Sequence, residues 1–335
     1  MKAVLMTQTG NVDVLSYEDV SEPEIKLPSQ IKVKLHAAGI NPIDTKLRSR
    51  GVFFPDALPA ILGCDGAGEV VEVGSEVTAF RPGDAVWFCH GGLGGEQGNY
   101  AEYTVLEADQ AARKPESLSF EEAAAAPLVL ITAWEALYDR AHIRAGQDVL
   151  IHAGAGGVGH VAIQLAAETG ARVLTTVGNA EKAEFVLNLG ASRAISYHEE
   201  DFVEAINAYT AGKGADMVLD TVGGETFRQS IHATAHYGDL VTLLEPGDDM
   251  SWKEARTRNL RIGFELMLTP MLRKLPEARA HHVQILDNCA RLCDEGRLKI
   301  HVSDILPLAE AARAHALIEE GHTQGKLVLK TGQET

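Results

Sequence analysis

Cysteine is scarce: four thiols, Cys64, Cys89, Cys289 and Cys293, are spread over 335 residues. That is too few for a disulfide framework in a chain of this length. Cys289 and Cys293 stand four apart, the spacing of one helical face, and read as core packing rather than as metal ligands. Long apolar runs are lacking too. The run near Met1 is too short for a secretory segment, and the most apolar later stretch, Ala123 to Trp134, is interrupted by Pro127, so no membrane span is expected. Basic charge is in deficit, with 30 Lys and Arg against 47 Asp and Glu and a formal net charge of −17. Such a field repels polyanions, so neither nucleic acid nor an anionic membrane is expected as a partner. There is no internal repeat and no low-complexity linker. These absences together place the protein in the cytoplasm as an expectation.

What is present is ordinary globular composition, 45% hydrophobic and 23% charged. A chain of 335 residues exceeds one comfortable core, so two domains are expected. Residues 1 to 110 are β-rich, with strands expected at Lys2–Leu5, Ile31–Ala37, Gly68–Val73 and Asp84–Phe88 between glycine and proline breaks. Glu121 to Tyr138 reads as helix around Pro127. From Asp148 the pattern becomes strand and helix in alternation. Strands are expected at Asp148–Ala153, Ala171–Val177, Arg193–Ser196, Ala215–Leu219, Asp239–Leu244 and Arg261–Leu266, with helices such as Glu181–Leu189 and Phe202–Tyr209 between them. Gly170 and Gly190 fall where helix C-caps belong. This is an α/β chain: a compact β-rich domain and an open, doubly wound parallel sheet of six strands. A helix around His282–Cys293, a strand at Leu298–Val302, a helix at Leu308–Glu319 and a strand at Lys326–Lys330 follow, and are expected to return to the first domain.

The most informative stretch runs from Val149 to Ala166. An apolar strand, a turn with Gly154, Gly156 and Gly159 in G-x-G-x-x-G spacing, and a segment with helical apolar spacing succeed one another. That order is the fingerprint of a dinucleotide site. Gly154 allows a sharp turn, Gly156 a close approach of backbone to pyrophosphate, and Gly159 close packing of helix on strand. The helix start at Gly157 and Val158 offers free N–H groups and a partial positive charge to the phosphates. A site that prefers NAD places an acid about 20 residues past the first glycine, to accept from the ribose hydroxyls. Thr175-Thr176-Val177-Gly178-Asn179 fills that place without an acid, which permits the extra phosphate of NADPH. Lys182 and the Tyr197 hydroxyl could contact that phosphate; the alternative is a solvated lysine and a surface aromatic.

Five motifs in order carry a resemblance. They are Ala37-Ala38-Gly39-Ile40-Asn41-Pro42-Ile43-Asp44, Gly63-Cys64-Asp65-Gly66-Ala67-Gly68-Glu69-Val70, Tyr100-Ala101-Glu102-Tyr103, Leu130-Ile131-Thr132-Ala133-Trp134 and the Ala153–Gly159 turn. From residue 1 to about 330 the chain resembles the medium-chain dehydrogenase/reductase superfamily, in particular its zinc-free quinone oxidoreductase branch. The resemblance implies a GroES-like catalytic domain (residues 1–123 and 271–335), a Rossmann domain binding NADP(H) (residues 124–270), a cleft between them, and a homodimer. It implies that Asn41 and Thr132 lie near the nicotinamide and orient it or the substrate carbonyl. It adds Thr176, Gly178 and Leu243 to the cofactor contacts. Another reading of Asn41 is a cap on the turn before Pro42.

Zinc alcohol dehydrogenases of this superfamily carry a cysteine in the place of Asn41, a His-Glu pair in the place of Cys64-Asp65, and a further ligand near Leu130. A catalytic zinc needs about three protein ligands, and only Cys64 or Asp65 could serve. The lobe that holds a structural zinc in those relatives would fall between Cys89 and Asp109, where one cysteine stands. No metal is expected. Without a Lewis acid the substrate must already accept hydride well, as quinones and α,β-unsaturated ketones do, because the resulting negative charge spreads onto a conjugated oxygen. Two departures mark this chain. Enoyl-thioester reductases carry a proton-donating tyrosine in the loop after the Asn41 motif, whereas Gly51-Val52-Phe53-Phe54-Pro55 offers no donor. Related quinone reductases tend to have a glycine after the fifth strand, where Leu243-Leu244-Glu245-Pro246-Gly247 stands here. The expected activity is NADPH-dependent reduction of quinones or activated alkenes. A cofactor-binding protein without catalysis and a zinc-type alcohol dehydrogenase are the alternatives.

Overall fold

The computed structural model describes residues 1–332 except Asp248 and the side chain of Pro55. The chain forms two compact units, residues 1–128 with those from 268 onward, and residues 129–267. The first unit opens with β1 (Lys2–Met6), β2 (Leu15–Asp19), β3 (Gln30–Gly39), α1 (Pro42–Arg50), β4 (Ala60–Ile61), β5 (Asp65–Val73), β6 (Ala85–Cys89), β7 (Tyr103–Glu107), β8 (Ala112–Arg113) and α2 (Phe120–Ala125). β3 alternates, burying Ile31, Val33 and Leu35 on one face. That face meets Val70, Val86, Phe88 and Leu106 in one apolar cluster. Period-two burial of this kind fixes register, because a slip of one residue would turn the apolar set to solvent.

The expected helix at Glu121–Tyr138 is interrupted. α2 is started by Ser119, whose Oγ accepts from Glu122 N at 3.1 Å while Glu122 Oε2 accepts from Ser119 N at 2.8 Å. It stops at Ala126, and Pro127 begins α3 (Pro127–Trp134), since proline lacks the N–H that a continuing helix would need. A π-helical turn, Glu135–Arg140, follows α3.

The second unit contains β9 (Asp148–Ile151), α4 (Gly157–Glu168), β10 (Arg172–Val177), α5 (Ala180–Asn188), β11 (Arg193–Ser196), α6 (Phe202–Tyr209), β12 (Ala215–Asp220), α7 (Gly224–Ala233), β13 (Thr234–Thr242), α8 (Lys253–Thr257) and β14 (Arg261–Phe264). The six strands form one parallel sheet in the order β11-β10-β9-β12-β13-β14, as expected from the sequence. The order reverses at β9 and β12, so the carboxyl ends of these central strands form the crevice that open α/β sheets use for ligands. Leu150, Leu174, Val218, Phe227 and Leu240 fill the core of this unit. Gly170 and Gly190 have φ of 86° and 103°, the left-handed caps expected of them. β13 starts at Thr234, five residues ahead of the expected strand.

The chain then returns to the first unit with α9 (Thr269–Arg273), α10 (Pro276–Asp294), β15 (Val302–Pro307), α11 (Ala311–Glu319) and β16 (Lys326–Lys330). β15 and β16 are parallel to each other, and β16 pairs antiparallel with β3. The strand expected at Leu298–Val302 lies further on. Leu298 and Ile300 are apolar because they are buried in the connection, and the ladder begins only where Val302 meets Lys326. Cys289 and Cys293 are both buried on α10.

One buried acid in the second unit has a measurable consequence. Glu265 follows β14 with its side chain 1% exposed, 3.0 Å from Arg140 Nε. Burial pushes its pKa up, its hydrogen bond and charge contact with Glu135 push the same way, and Arg140 opposes them. A carboxyl whose folded pKa exceeds its unfolded value of about 4.5 holds its proton longer when folded, so its contribution to stability declines as pH rises above that value. Glu265→Gln removes the decline. Urea unfolding at pH 6 and pH 8 should show the variant gaining on the wild type by up to about 1.4 kcal/mol per pH unit. An equal difference at both pH values contradicts the assignment.

Candidate functional site

β9 is buried at all four positions, and the chain leaves its carboxyl end through Ala153, whose φ of 50° lies in the left-handed region. The sharp turn expected at Gly154 is therefore made one residue earlier. Gly154 meets a different demand, since a Cβ there would strike Thr175 Oγ1 and lie 2.9 Å from Ile163 Cδ1. A Cβ on Gly159 would strike Ala153 O and lie 2.7 Å from Gly154 Cα, so the first turn of α4 sits directly against the loop. Gly156 differs from both: its Cβ would meet only Ala153 O, at 3.2 Å, and otherwise open space. The first bond of α4 runs from His160 N to Gly156 O at 3.0 Å. The N–H groups of Gly157, Val158 and Gly159 precede that bond and have no intrahelical acceptor. Two glycines pack the turn, and the third keeps its outer side clear beside a positive helix end.

Thr176 and His152 hold this turn from beneath. Thr176 Oγ1 accepts from Ala153 N at 3.0 Å and stands 3.2 Å from His152 Nδ1, and Gly154 N donates to Thr176 O. His152 Nε2 is 2.9 Å from Ser230 Oγ, which itself donates to Thr226 O at 2.7 Å. Because the Ser230 proton is committed, Nε2 must donate, which leaves Nδ1 to accept from Thr176. The ring is neutral, as its burial, which pushes its pKa well down, requires.

Gly178, Tyr197 and Leu243 each follow the carboxyl end of a strand of the parallel sheet. Gly178 follows β10, and a Cβ there would strike the Tyr197 hydroxyl and lie 3.0 Å from Tyr197 Cζ. Tyr197 follows β11 and is 56% exposed. Lys182 stands in the first turn of α5, its N–H donating to Asn179 Oδ1 at 2.8 Å. Leu243 follows β13, tied by its N–H to Asp220 O at 3.0 Å. Thr132 is buried on α3.

Asn41 belongs to the first unit and is fully buried at the start of α1. Its Nδ2 donates to Asp65 Oδ2 at 2.8 Å, and its Oδ1 accepts from Lys326 Nζ. Lys326 Nζ also donates to Ile40 O at 2.7 Å and stands 3.9 Å from Asp65 Oδ2. The other oxygen of Asp65 accepts from Leu128 N, in the first turn of α3, at 2.8 Å. Asp44 Oδ2 accepts from Asn41 N at 2.9 Å and from the Tyr100 hydroxyl at 3.0 Å, and that hydroxyl lies 3.2 Å from His315 Nε2. Burial pushes Asp44 up to about 7; its bonds from Asn41 and Tyr100 and the charge of Lys326 pull it down, and Asp65 adds to the rise. Burial raises Asp65 and lowers Lys326, and each partly offsets the shift of the other.

The family profile of the alcohol dehydrogenase GroES-like domain matches residues 27–116, and that of zinc-binding dehydrogenase matches residues 189–329. A quinone oxidoreductase of Pseudomonas aeruginosa is 33% identical over 328 residues, which cover 98% of this chain and 99% of that protein. Quinone oxidoreductase 1 of Escherichia coli is 35% identical, with 96% of each chain covered. The chain belongs to the medium-chain dehydrogenase/reductase family, in its quinone oxidoreductase branch. Among solved structures, Escherichia coli quinone oxidoreductase complexed with NADPH superposes with a TM-score of 0.87 at 32% identity, covering 98% of this chain and 100% of that one.

The positions at which zinc-dependent members of the family carry ligands can be tested for fit. At Asn41 the amide is engaged at both ends, and at Asp65 each oxygen already accepts a hydrogen bond. The hydrogen bond between the Cys64 and Cys89 thiols pulls Cys64 down, but burial and the nearby Asp44 and Asp65 carboxylates outweigh it and leave the thiol raised. A thiol must lose its proton to bind zinc, so this set does not suit the metal. Among the described residues, no group of three or more His, Cys, Asp or Glu side chains could hold a metal ion.

Lys326 and His152 were not singled out by the sequence, and Tyr100 stood in a motif without a role. His152 gave a signal, a polar residue closing an apolar strand, but Lys326 opens a strand that also ends in lysine and is marked by nothing local. The network makes the cost of losing one donor depend on pH. Hydrogen bonds from Tyr100 favour the charged form of Asp44, so Tyr100→Phe should destabilise by about 1 to 3 kcal/mol. Equilibrium unfolding should show the larger loss at pH 8.5 and the smaller at pH 6, on either side of the Asp44 value. A cost independent of pH contradicts this coupling.

Proposed function

We propose that the protein is an NADPH-dependent reductase of quinones or α,β-unsaturated carbonyls that works without zinc. The observation that carries the proposal is the loop between β9 and α4, where Gly156 keeps one side clear in front of the N–H groups of Gly157, Val158 and Gly159. That arrangement fits a pyrophosphate. No carboxylate stands between the end of β10 and Glu181 in the first turn of α5, and the Tyr197 hydroxyl reaches over Gly178 with Lys182 close by in sequence. A 2′-phosphate suits this donor and cation where an acid would repel it. Bound NADPH supplies the hydride, from C4 of its nicotinamide.

The chain's own residues then have three tasks. Gly157, Val158 and Gly159 hold the pyrophosphate, while Lys182 and Tyr197 hold the adenosine phosphate. Leu243 supplies apolar surface at the carboxyl end of β13. Asn41 and Thr132 orient the reacting groups, Asn41 with the one amide hydrogen and one carbonyl lone pair that its bonds to Asp65 and Lys326 leave over. Phe53 and Phe54, 49% and 37% exposed, present an aromatic wall to a flat, apolar substrate. A conjugated acceptor takes up charge on an oxygen that such donors can stabilise, so the reaction needs no Lewis acid from this site.

The test is the initial rate of NADPH oxidation by chelator-treated protein with a panel of quinones and enones. Turnover that survives chelation is expected. Activity that is lost on chelation and restored by zinc, or no turnover with any acceptor, contradicts the proposal.

A further inference from the structure

The charges buried around Asn41 have no place in the tasks just described. Three segments converge there: Ile40 and Asn41 in the connection from β3 to α1, Asp65 at the start of β5 and Lys326 at the start of β16. Asn41 and Asp65 are fully buried, and Lys326 is 3% exposed. Placing an ammonium and a carboxylate in such surroundings is costly unless each finds partners. Here the partners include the two ends of one amide. The ammonium donates to Asn41 Oδ1 and the carboxylate accepts from Asn41 Nδ2. Rotating the amide by half a turn would set N–H against ammonium and C=O against carboxylate, so the charge pair permits one orientation only.

We infer that Lys326 and Asp65 are positioning residues that lock the Asn41 amide for catalysis. The inference rests on the reductase reading, and it concerns how that site is held rather than what it binds. Neither residue touches substrate. Lys326 acts on the Asn41 oxygen, and Asp65 acts on the Asn41 nitrogen while its second oxygen fixes Leu128 N at the start of α3, the helix that carries Thr132. The arrangement also bears on why the site does not suit zinc: a fixed positive charge repels a second cation.

The experiment compares the wild type with Lys326→Arg, Lys326→Met and the double variant Lys326→Met/Asp65→Asn. Lys326→Met alone leaves a buried carboxylate unpaired and is expected to fold poorly. The double variant removes both charges together and keeps a carbonyl oxygen for Leu128 N, so it should remain folded. NADPH dissociation constants are read by fluorescence titration, and kcat and KM with 1,4-benzoquinone in the presence of chelator. The double variant should bind NADPH within about twofold of the wild type while kcat falls roughly ten- to a hundredfold, the range in which misplacement of a reacting group operates. Lys326→Arg, which keeps the charge, should recover most of kcat. A purely structural role would lower thermal stability and leave kcat of the folded fraction intact. That result overturns the inference, as does a double variant with wild-type kcat or a Lys326→Arg variant no better than the double variant. A wild type that neither binds NADPH nor turns over overturns the reductase reading itself, and the inference with it.

Discussion

The close approach of α4 to the end of β9 is the constraint on which the second unit depends. Gly159 lies against Ala153 O and Gly154 Cα, and Gly154 lies against Thr175, with no room for a side chain at either position. Bringing helix and strand this near aims the first N–H groups of α4 across the carboxyl edge of the sheet, where the order of strands reverses. The turn that makes this possible bends at Ala153 and is fixed by Thr176, which is fixed in turn by His152 and Ser230. A neutral histidine suits that role, because it can donate on one side and accept on the other without bringing charge into the core.

The first unit solves its problem with charge. Asp65 and Lys326 are held in place by backbone and side-chain bonds that satisfy the amide of Asn41, and Asp44 is held by Asn41 N and Tyr100. Buried ionic groups contribute little net stability when replaced by apolar packing, so their presence is best explained by what they orient. Asn41 is the residue they orient. The two units thus present two kinds of preorganisation, a backbone loop with free N–H groups at a helix start and an amide held between two charges.

Much of the fold was legible because its signals are local. The six strands of the parallel sheet appear as apolar runs between helical segments, and the positive-φ caps at Gly170 and Gly190 appear as glycines at helix ends. Sequence and structure differ where burial and hydrogen bonding part company. Leu298 and Ile300 are apolar and buried without a ladder, a pattern that suggests a strand, and Pro127, inside a run whose composition suggests one helix, begins a second. The glycine turn was legible as a motif, yet its sharpest bend falls on an alanine. Asn41, Asp44, Asp65 and Tyr100 stand in recognisable motifs, but their joining into one polar network is not legible. Asp65 and Lys326 are far apart in sequence, and nothing in a single chain marks which of its lysines is turned inward.

The most direct test of the account is calorimetric titration of the wild type and of Lys182→Ala with NADPH and with NADH. NADPH should bind the wild type more tightly than NADH, and Lys182→Ala should weaken NADPH by about tenfold, the loss of about 1.4 kcal/mol of charge-assisted contact, while leaving NADH nearly unchanged. Equal affinity for the two dinucleotides, or an equal effect of the substitution on both, would contradict the phosphate site at Gly178, Lys182 and Tyr197.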